Sequence, residues 1–389
     1  MTRPRIVVAV TDAVSAALVT GQLADLRARG ADPYFIANPG PAADALCARE
    51  GATMVPVAMA RAPAPAADTR ALADLVVALR RIRPHLVNAG TPKAAMLVGT
   101  AATIARVPCR IHTLHGLRFA TMTGARGELV RRSQQAACAS AHLTLCVSAS
   151  LRARAIEHGL APASRLVVLG DGSANGVDVE WLAPGPAPTA AAAAIRAACG
   201  IAATAQVIGF VGRIASDKGL AELAEAWRQL RRADRHLVIV GGDDATDPVD
   251  GAVLTFLRDD PQVHFLGVRR DLPAVFATMD VLALPTKREG FGNVLIEAGA
   301  MAVPVVASRV DGCVDAVADG ETGALVPAGD ASALAAALAR YLDDPELRAR
   351  HGAAGRARAV ARFDHRLVIA RLAEQYRTML RSRGLPVLG

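Results

Sequence analysis

Short runs of consecutive apolar residues, rich in Val, Ile and Leu, alternate along this chain with stretches whose apolar residues return every third or fourth position. A run of four to six apolar residues has no polar face, so it predicts a strand buried on both sides, while the wider spacing predicts a helix with one buried face. In chain order, strands are expected at residues 6–10, 34–37, 53–57, 85–89, 109–114, 143–148 and 166–169. Helices are expected at 15–29, 69–83 and 92–106, and a loop rich in Ala and Pro at 61–68. The first helix turns Leu18, Leu23 and Leu26 inward and stops at Gly30; the second is closed by Pro84. Residues 183–188, Ala-Pro-Gly-Pro-Ala-Pro, break the alternation and predict a linker. It then resumes, with strands at 207–212, 236–242, 263–267 and 280–284 and further apolar runs at 303–308 and 323–327. Helices follow at 220–230, from Val294, and at 331–342, 346–362 and 365–381. The pattern argues an α/β chain built on doubly wound parallel sheets.

The most informative stretch is 285–297, which reads as a turn between the strand 280–284 and a helix. Such turns lie at the carboxyl ends of parallel strands, where ligands bind. Gly290 and Gly292 let backbone approach a ligand, and the N–H groups of Asn293, Val294 and Leu295 are expected to face an anion at the helix start. Glu289 lies in the turn and Glu297 more than one helical turn further on. Two carboxylates flanking an anion site suit a phosphate ester with hydroxyls on both sides, as in a nucleotide-sugar. Taken alone, the pair also fits a surface loop and a solvated helix face. A second turn, Gly212-Arg213 to Lys218-Gly219, places two cations five residues apart, a fork and a point charge for phosphate oxygens. A third candidate is His115, followed by Gly116, at the end of the strand 109–114 and aimed out of the core.

Length and charge add constraints. A chain of 389 residues accommodates two domains, and 3% aromatic content with abundant Ala fits an ordinary α/β protein. No apolar run is long enough to cross a bilayer, the first residues lead directly into a strand without a signal-peptide core, and six scattered Cys read as reduced thiols, so a cytoplasmic protein is expected. Residues 1–184 carry 20 Lys and Arg against 12 Asp and Glu; residues 185–389 carry 24 of each, so the whole excess of +8 lies in the first half. Arg118, Arg126, Arg131, Arg132, Arg152 and Arg154 are part of it. A basic half suggests a polyanion, an anionic membrane surface or a diphosphate-linked acceptor as partner, or simply a solvated Arg-rich face. The acidic residues Asp243, Asp244, Asp247 and Asp250 lack a rigid spacing and read as a solvated loop without a metal. The turn at 11–15 lacks a glycine-rich fingerprint, which excludes a nicotinamide site there.

The stretch Glu289 to Glu297 resembles the Glu-x7-Glu element of retaining GT-B glycosyltransferases of family 4, and Gly212 to Gly219 resembles that family's diphosphate clamp. Residues 88–93 and 113–119 resemble the acceptor domain of its capsule and O-antigen branch. The resemblance implies two Rossmann-like domains, 1–184 and 185–364, with a cleft between them and a last helix, 365–389, returning to the first. It implies retaining transfer of a hexose or N-acetylhexosamine from a nucleoside-diphosphate sugar, UDP foremost, without metal or other cofactor. The acceptor would be a hydroxyl of a polyprenyl-diphosphate-linked glycan in polysaccharide biosynthesis, or of a small metabolite. Donor binding falls to Gly212, Arg213, Lys218, Glu289, Gly290, Phe291, Gly292, Asn293, Val294, Leu295 and Glu297, with Glu289 on the sugar and Glu297 on the ribose. Ser15, Lys93, His115, Gly116 and Arg118 fall on the acceptor side, with His115 beside the donor sugar. Two departures, Gly292 after Phe291 where Pro is frequent and Lys287 where an aromatic is frequent, bear on donor choice. A sugar-nucleotide epimerase or hydrolase of the same fold stays open, as does a non-catalytic polyanion-binding protein. Nucleic acid is not expected as partner, because aromatic residues for base stacking are nearly absent.

Overall fold

Ile6, Val7 and Val8 offer water no polar side, and the strand they form, β1 (Arg5–Ala9), is buried on both faces. The structure, a computed structural model, describes residues 3–60 and 64–389; the side chains of Val14, Thr121 and Arg126 also lie outside the description. The chain forms two units, Met1–Gly176 together with His365–Gly389, and Val177–Asp364.

In the first unit β1 is joined by β2 (Asp32–Ala37), β3 (Thr53–Pro56), β4 (Leu86–Gly90), β5 (Cys109–Leu114), β6 (Leu143–Cys146) and β7 (Leu166–Val167). All pair in parallel, in the order 3-2-1-4-5-6-7. On one face Ile6, Val8 and Val10 meet Leu23, Leu26, Ala373, Tyr376 and Leu380. On the other, Val7 and Ala9 meet Leu75, Leu79 and Val98. The helix His365–Arg381 therefore supplies part of this first core, and Asn88 Nδ2 donates to the buried Tyr376 hydroxyl at 2.6 Å.

The second unit holds β8 (Gln206–Val211), β9 (Arg235–Val240), β10 (Val263–Gly267), β11 (Val281–Leu284), β12 (Val305–Ser308) and β13 (Gly323–Val326), all parallel, in the order 10-9-8-11-12-13. Strand order reverses between β8 and β11, which opens a crevice at their carboxyl ends.

Four local expectations change. The helix expected at 15–29 is a 3-10 segment, Ala13–Val19, followed by a separate helix, Gln22–Ala28. Glu50 causes the break: its carboxylate accepts from the N–H groups of Gly21, Leu23 and Ala24 and so seats a new helix N-terminus. The helix expected at 69–83 runs Pro65–Ile82, since proline suits a first turn; residues 61–63 of the expected loop lie outside the described residues. Of several helices not anticipated, Pro41–Glu50 ends at Gly51 with φ +66°. Finally, the expected linker enters a helix, Pro186–Ala198, and the units divide at Gly176 and Val177 instead of at 184. Val177 N donates to Phe363 O at 2.8 Å, which ties the start of the second unit to its end.

Candidate functional site

Because β8 and β11 are neighbours, the turns that follow them share one edge of the second sheet. One passes through the 3-10 segment Ser216–Lys218 into the helix Leu220–Leu230; the other leads into the helix Asn293–Ala300. The two turns pack backbone against backbone. Lys287 N and Thr286 Oγ1 donate to Asp217 O at 2.8 and 3.1 Å. A Cβ on Gly219, whose φ is +76°, would lie 1.9 Å from Pro285 O. Only glycine permits this approach.

The approach brings one expected cation and one expected carboxylate together. Lys218 Nζ pairs with Glu289, and both side chains are mostly buried, at 14% and 16% exposure. The close packing of the second turn buries Lys218. Arg213 is half-exposed and pairs with Asp244 through Nη1, while its Nη2 lies 3.5 Å from Asp217. Arg288 Nη2 lies 2.7 Å from the other Asp217 oxygen.

Behind them the helix Asn293–Ala300 begins at Gly292, in the left-handed region with φ +80°. Leu295 N donates to Gly292 O at 2.9 Å, so of the three N–H groups expected to face a ligand this one is already used. The Phe291 ring is buried edge-on against Phe363, 5.2 Å between centroids, and is a core contact. Gly212 N donates to Val240 O at the foot of Arg213. Glu297 is half-buried, and among the described residues no hydrogen bond or ion pair to its carboxylate is found. Burial pushes its carboxyl up to about 7.

In the first unit His115 follows β5 and is half-buried. Burial, with His112 adding to it, lowers the imidazole to about 4, so at neutral pH the ring is uncharged. It lies close against β4: a Cβ on Gly90 would come within 2.9 Å of His115 Nε2. His115 borders a recess lined by Val10, Asn88, Thr113, Cys146 and Ser173, none of them charged. The other acceptor-side candidates do not line it. Ser15 bonds to Asp12, and Lys93, 11% exposed, pairs with Asp68 at 2.6 Å. Gly116 O accepts from Gln134 Nε2, and Arg118 is exposed.

Sequence reasoning missed Asp217, Asp244 and Asp247. Asp244 was expected in a solvated loop, yet it holds Arg213, and hydrogen bonds from Thr246 Oγ1 and N, with the arginine, bring its carboxyl down to about 2. Asp247 accepts from Asp217 N at 3.0 Å, and Asp250 caps the helix Gly251–Asp259. Asp244 and Asp247 carry no local signal, because their contacts span about thirty residues, whereas Asp217 stands four residues after Arg213, a spacing that could have pointed to it. In the basic stretch, Glu128 holds Arg131 and Arg132, Glu157 holds Arg154, and Arg152 donates to Leu166 O. The Arg126 side chain lies outside the described residues. Among the described residues no group of three or more His, Cys, Asp or Glu is placed to hold a metal, and no helix is long and apolar enough to cross a membrane.

Comparison with known proteins converges on this geometry. The family model described as "Glycosyl transferase 4-like domain" matches residues 15–172, and "Glycosyl transferases group 1" matches 205–344, which holds both turns. The capsular polysaccharide biosynthesis glycosyltransferase CapM of Staphylococcus aureus is 31% identical over 375 residues, 96% of this chain and 97% of CapM. The alpha-maltose-1-phosphate synthase of Mycobacterium tuberculosis is 30% identical over 78% of this chain and 82% of its own. Among solved structures, Anabaena HepE in complex with UDP and glucose has a TM-score of 0.80 at 21% identity, covering 96% of this chain and 99% of HepE.

Proposed function

The chain belongs to the group 1 family of GT-B glycosyltransferases and is itself a glycosyltransferase, and from that premise we propose that it transfers a hexose or N-acetylhexosamine, with retention, from a nucleoside-diphosphate sugar to a hydroxyl acceptor. The observation that carries the reading is one edge of one sheet: Arg213, Lys218 and a helix start, flanked by Glu289 and Glu297. The UDP and glucose in the HepE structure support a UDP-sugar as donor, and the likeness to CapM supports a glycan acceptor in polysaccharide biosynthesis.

In the proposed reaction the bond from the anomeric carbon to the diphosphate oxygen breaks, and the acceptor oxygen bonds to the same face. The acceptor proton passes to the departing diphosphate. Arg213, Lys218 and the helix start hold the growing negative charge, worth most where water is scarce. Glu289 orients the sugar hydroxyls while anchoring Lys218. His115, uncharged at neutral pH, serves the acceptor side as a hydrogen-bonding group.

A thermal-shift panel of nucleotide-sugars in excess EDTA, followed by transfer assays, tests this reading. A UDP-sugar should raise the melting temperature, and transfer should persist in EDTA because cations of the chain occupy the place of a metal. Loss of activity on chelation, restored by magnesium or manganese, would overturn metal independence. Rapid donor consumption without acceptor would point to a hydrolase or epimerase.

Glu297 provides a pH signature. Ribose hydroxyls donate to a carboxylate, so donor binding favours the ionised form. With the carboxyl at about 7, donor affinity should be full above that pH and fall by up to about tenfold per unit below it, the slope of one proton. Glu297→Gln should bind donor weakly with a flat pH profile. Titrations from pH 5.5 to 8.5 check this, and a flat wild-type profile would remove the ribose role.

Peripheral attachment to the cytoplasmic face of an anionic membrane is the finer proposal for the acceptor side, supported by the charge excess of residues 1–184. Each cation near such a surface contributes roughly 1 kcal/mol, but Glu128 and Glu157 already take up three of the arginines. Co-sedimentation with anionic liposomes should therefore be modest and lost in high salt. No binding at low salt would leave a soluble acceptor.

A further inference from the structure

We infer that Asp217 is a positioning residue for Arg213: it fixes the orientation of the guanidinium that the proposed function assigns to the donor diphosphate, and the inference rests on that assignment. Asp217 is 8% exposed and is held from several sides. Its N–H donates to Asp247 Oδ2 at 3.0 Å, and its carbonyl accepts from Lys287 N and Thr286 Oγ1. Thr286 is itself fully buried, and its hydroxyl also contacts Arg288 O at 2.9 Å. One carboxylate oxygen lies 2.7 Å from Arg288 Nη2 and the other 3.5 Å from Arg213 Nη2. This carboxylate therefore has little freedom to follow a moving partner.

Arg213 has that freedom: its side chain is half-exposed, and its carboxylate partners are Asp217 and Asp244. The two approach opposite ends of the planar fork, Asp244 at Nη1 and Asp217 at Nη2. Asp244 comes from the loop after β9, braced by Thr246, whereas Asp217 comes from the arginine's own turn. Asp244 anchors one end through a hydrogen bond; at the other, the Asp217 carboxylate acts at 3.5 Å as a charge without a hydrogen bond, and its attraction limits the pivot of the plane on which bidentate recognition of phosphate oxygens depends. The shared carboxylate also couples Arg213 to Arg288, so the turn after β8 and the turn after β11 are aligned by charge as well as by backbone.

The test is a double-mutant cycle on kcat/KM for the donor, with wild type, Arg213→Ala, Asp217→Asn and the double variant. Asp217→Asn should lower kcat/KM by about tenfold in the wild-type background and by less than about twofold when Arg213 is already absent. An effect through general packing would appear equally in both backgrounds. If Arg213→Ala leaves kcat/KM near wild type, the clamp assignment fails and this inference falls with it. If Arg213→Ala is impaired but the Asp217→Asn loss persists undiminished in the double variant, the clamp stands and the positioning role is overturned. Wild-type kinetics in Asp217→Asn would also overturn it. Should the asparagine variant not fold, Asp217→Glu, which displaces the charge by one methylene, enters the same cycle with the same expected coupling.

Discussion

Replacing Arg213 or Lys218 with alanine is expected to lower turnover by about two orders of magnitude, the usual scale for losing one charge stabiliser of a transition state. The departing diphosphate gains charge as the sugar bond breaks, so each cation contributes more at the transition state than in the bound donor, and kcat should fall more than donor affinity. The two variants should differ in stability. Arg213 is half-exposed, and its loss leaves Asp244 with the Thr246 hydrogen bonds. Lys218 is mostly buried, and its loss strands the Glu289 carboxylate in a site only 16% exposed. Leaving a buried charge without its partner costs about 3 kcal/mol, so Lys218→Ala should melt well below wild type and Arg213→Ala close to it. Saturating-donor kinetics beside thermal unfolding separate the two effects. Near-normal turnover in both variants would refute the clamp.

A second large effect is expected from one methyl group. Gly219→Ala would place a Cβ 1.9 Å from Pro285 O at a backbone φ of +76°, so the two turns must separate or the helix Leu220–Leu230 must shift. Strain and a displaced backbone together should destabilise the second unit by about 3 kcal/mol or more, a fall of roughly 10 °C in melting temperature. Gly212→Ala is the matched control, since its Cβ would meet nothing closer than the Phe210 ring at 3.6 Å. Equal melting temperatures for the two variants would show that the turns are not in the tight contact described.

What the sequence revealed follows from the range of the interaction. Apolar runs and helical spacing are local, so the strands of both parallel sheets were legible, and so was the likeness carried by Arg213, Lys218, Glu289 and Glu297. Asp244 and Asp247 were not, because their partners are brought to them by the sheet and leave no spacing to read; Asp217 sits four residues from Arg213, but its tie to Arg288 in the other turn is equally long-range. The 3-10 segment at Ala13–Val19 was missed for the same reason: the carboxylate that starts the next helix belongs to Glu50. The helix at Pro186–Ala198 was hidden by composition, since a proline at a first helical turn reads as a linker when prolines recur nearby. At the boundary after Gly176, Val177 bonds to Phe363 far along the chain, a contact with no local spacing to read.

The first core is discontinuous in sequence. Ala373, Tyr376 and Leu380 pack against Ile6, Val8 and Leu23, whereas the second unit is one uninterrupted segment, Val177–Asp364. A ribosome delivers residues from the N-terminus, and domains generally fold as units. Here the strand at residues 5–9 must wait for the helix at 365–381, made after the whole of the unit between them, while that unit can complete its core earlier. Until that helix is made, one face of the first sheet is covered only in part, by Leu23, Leu26 and their neighbours, the interval in which a chaperone would have most to protect.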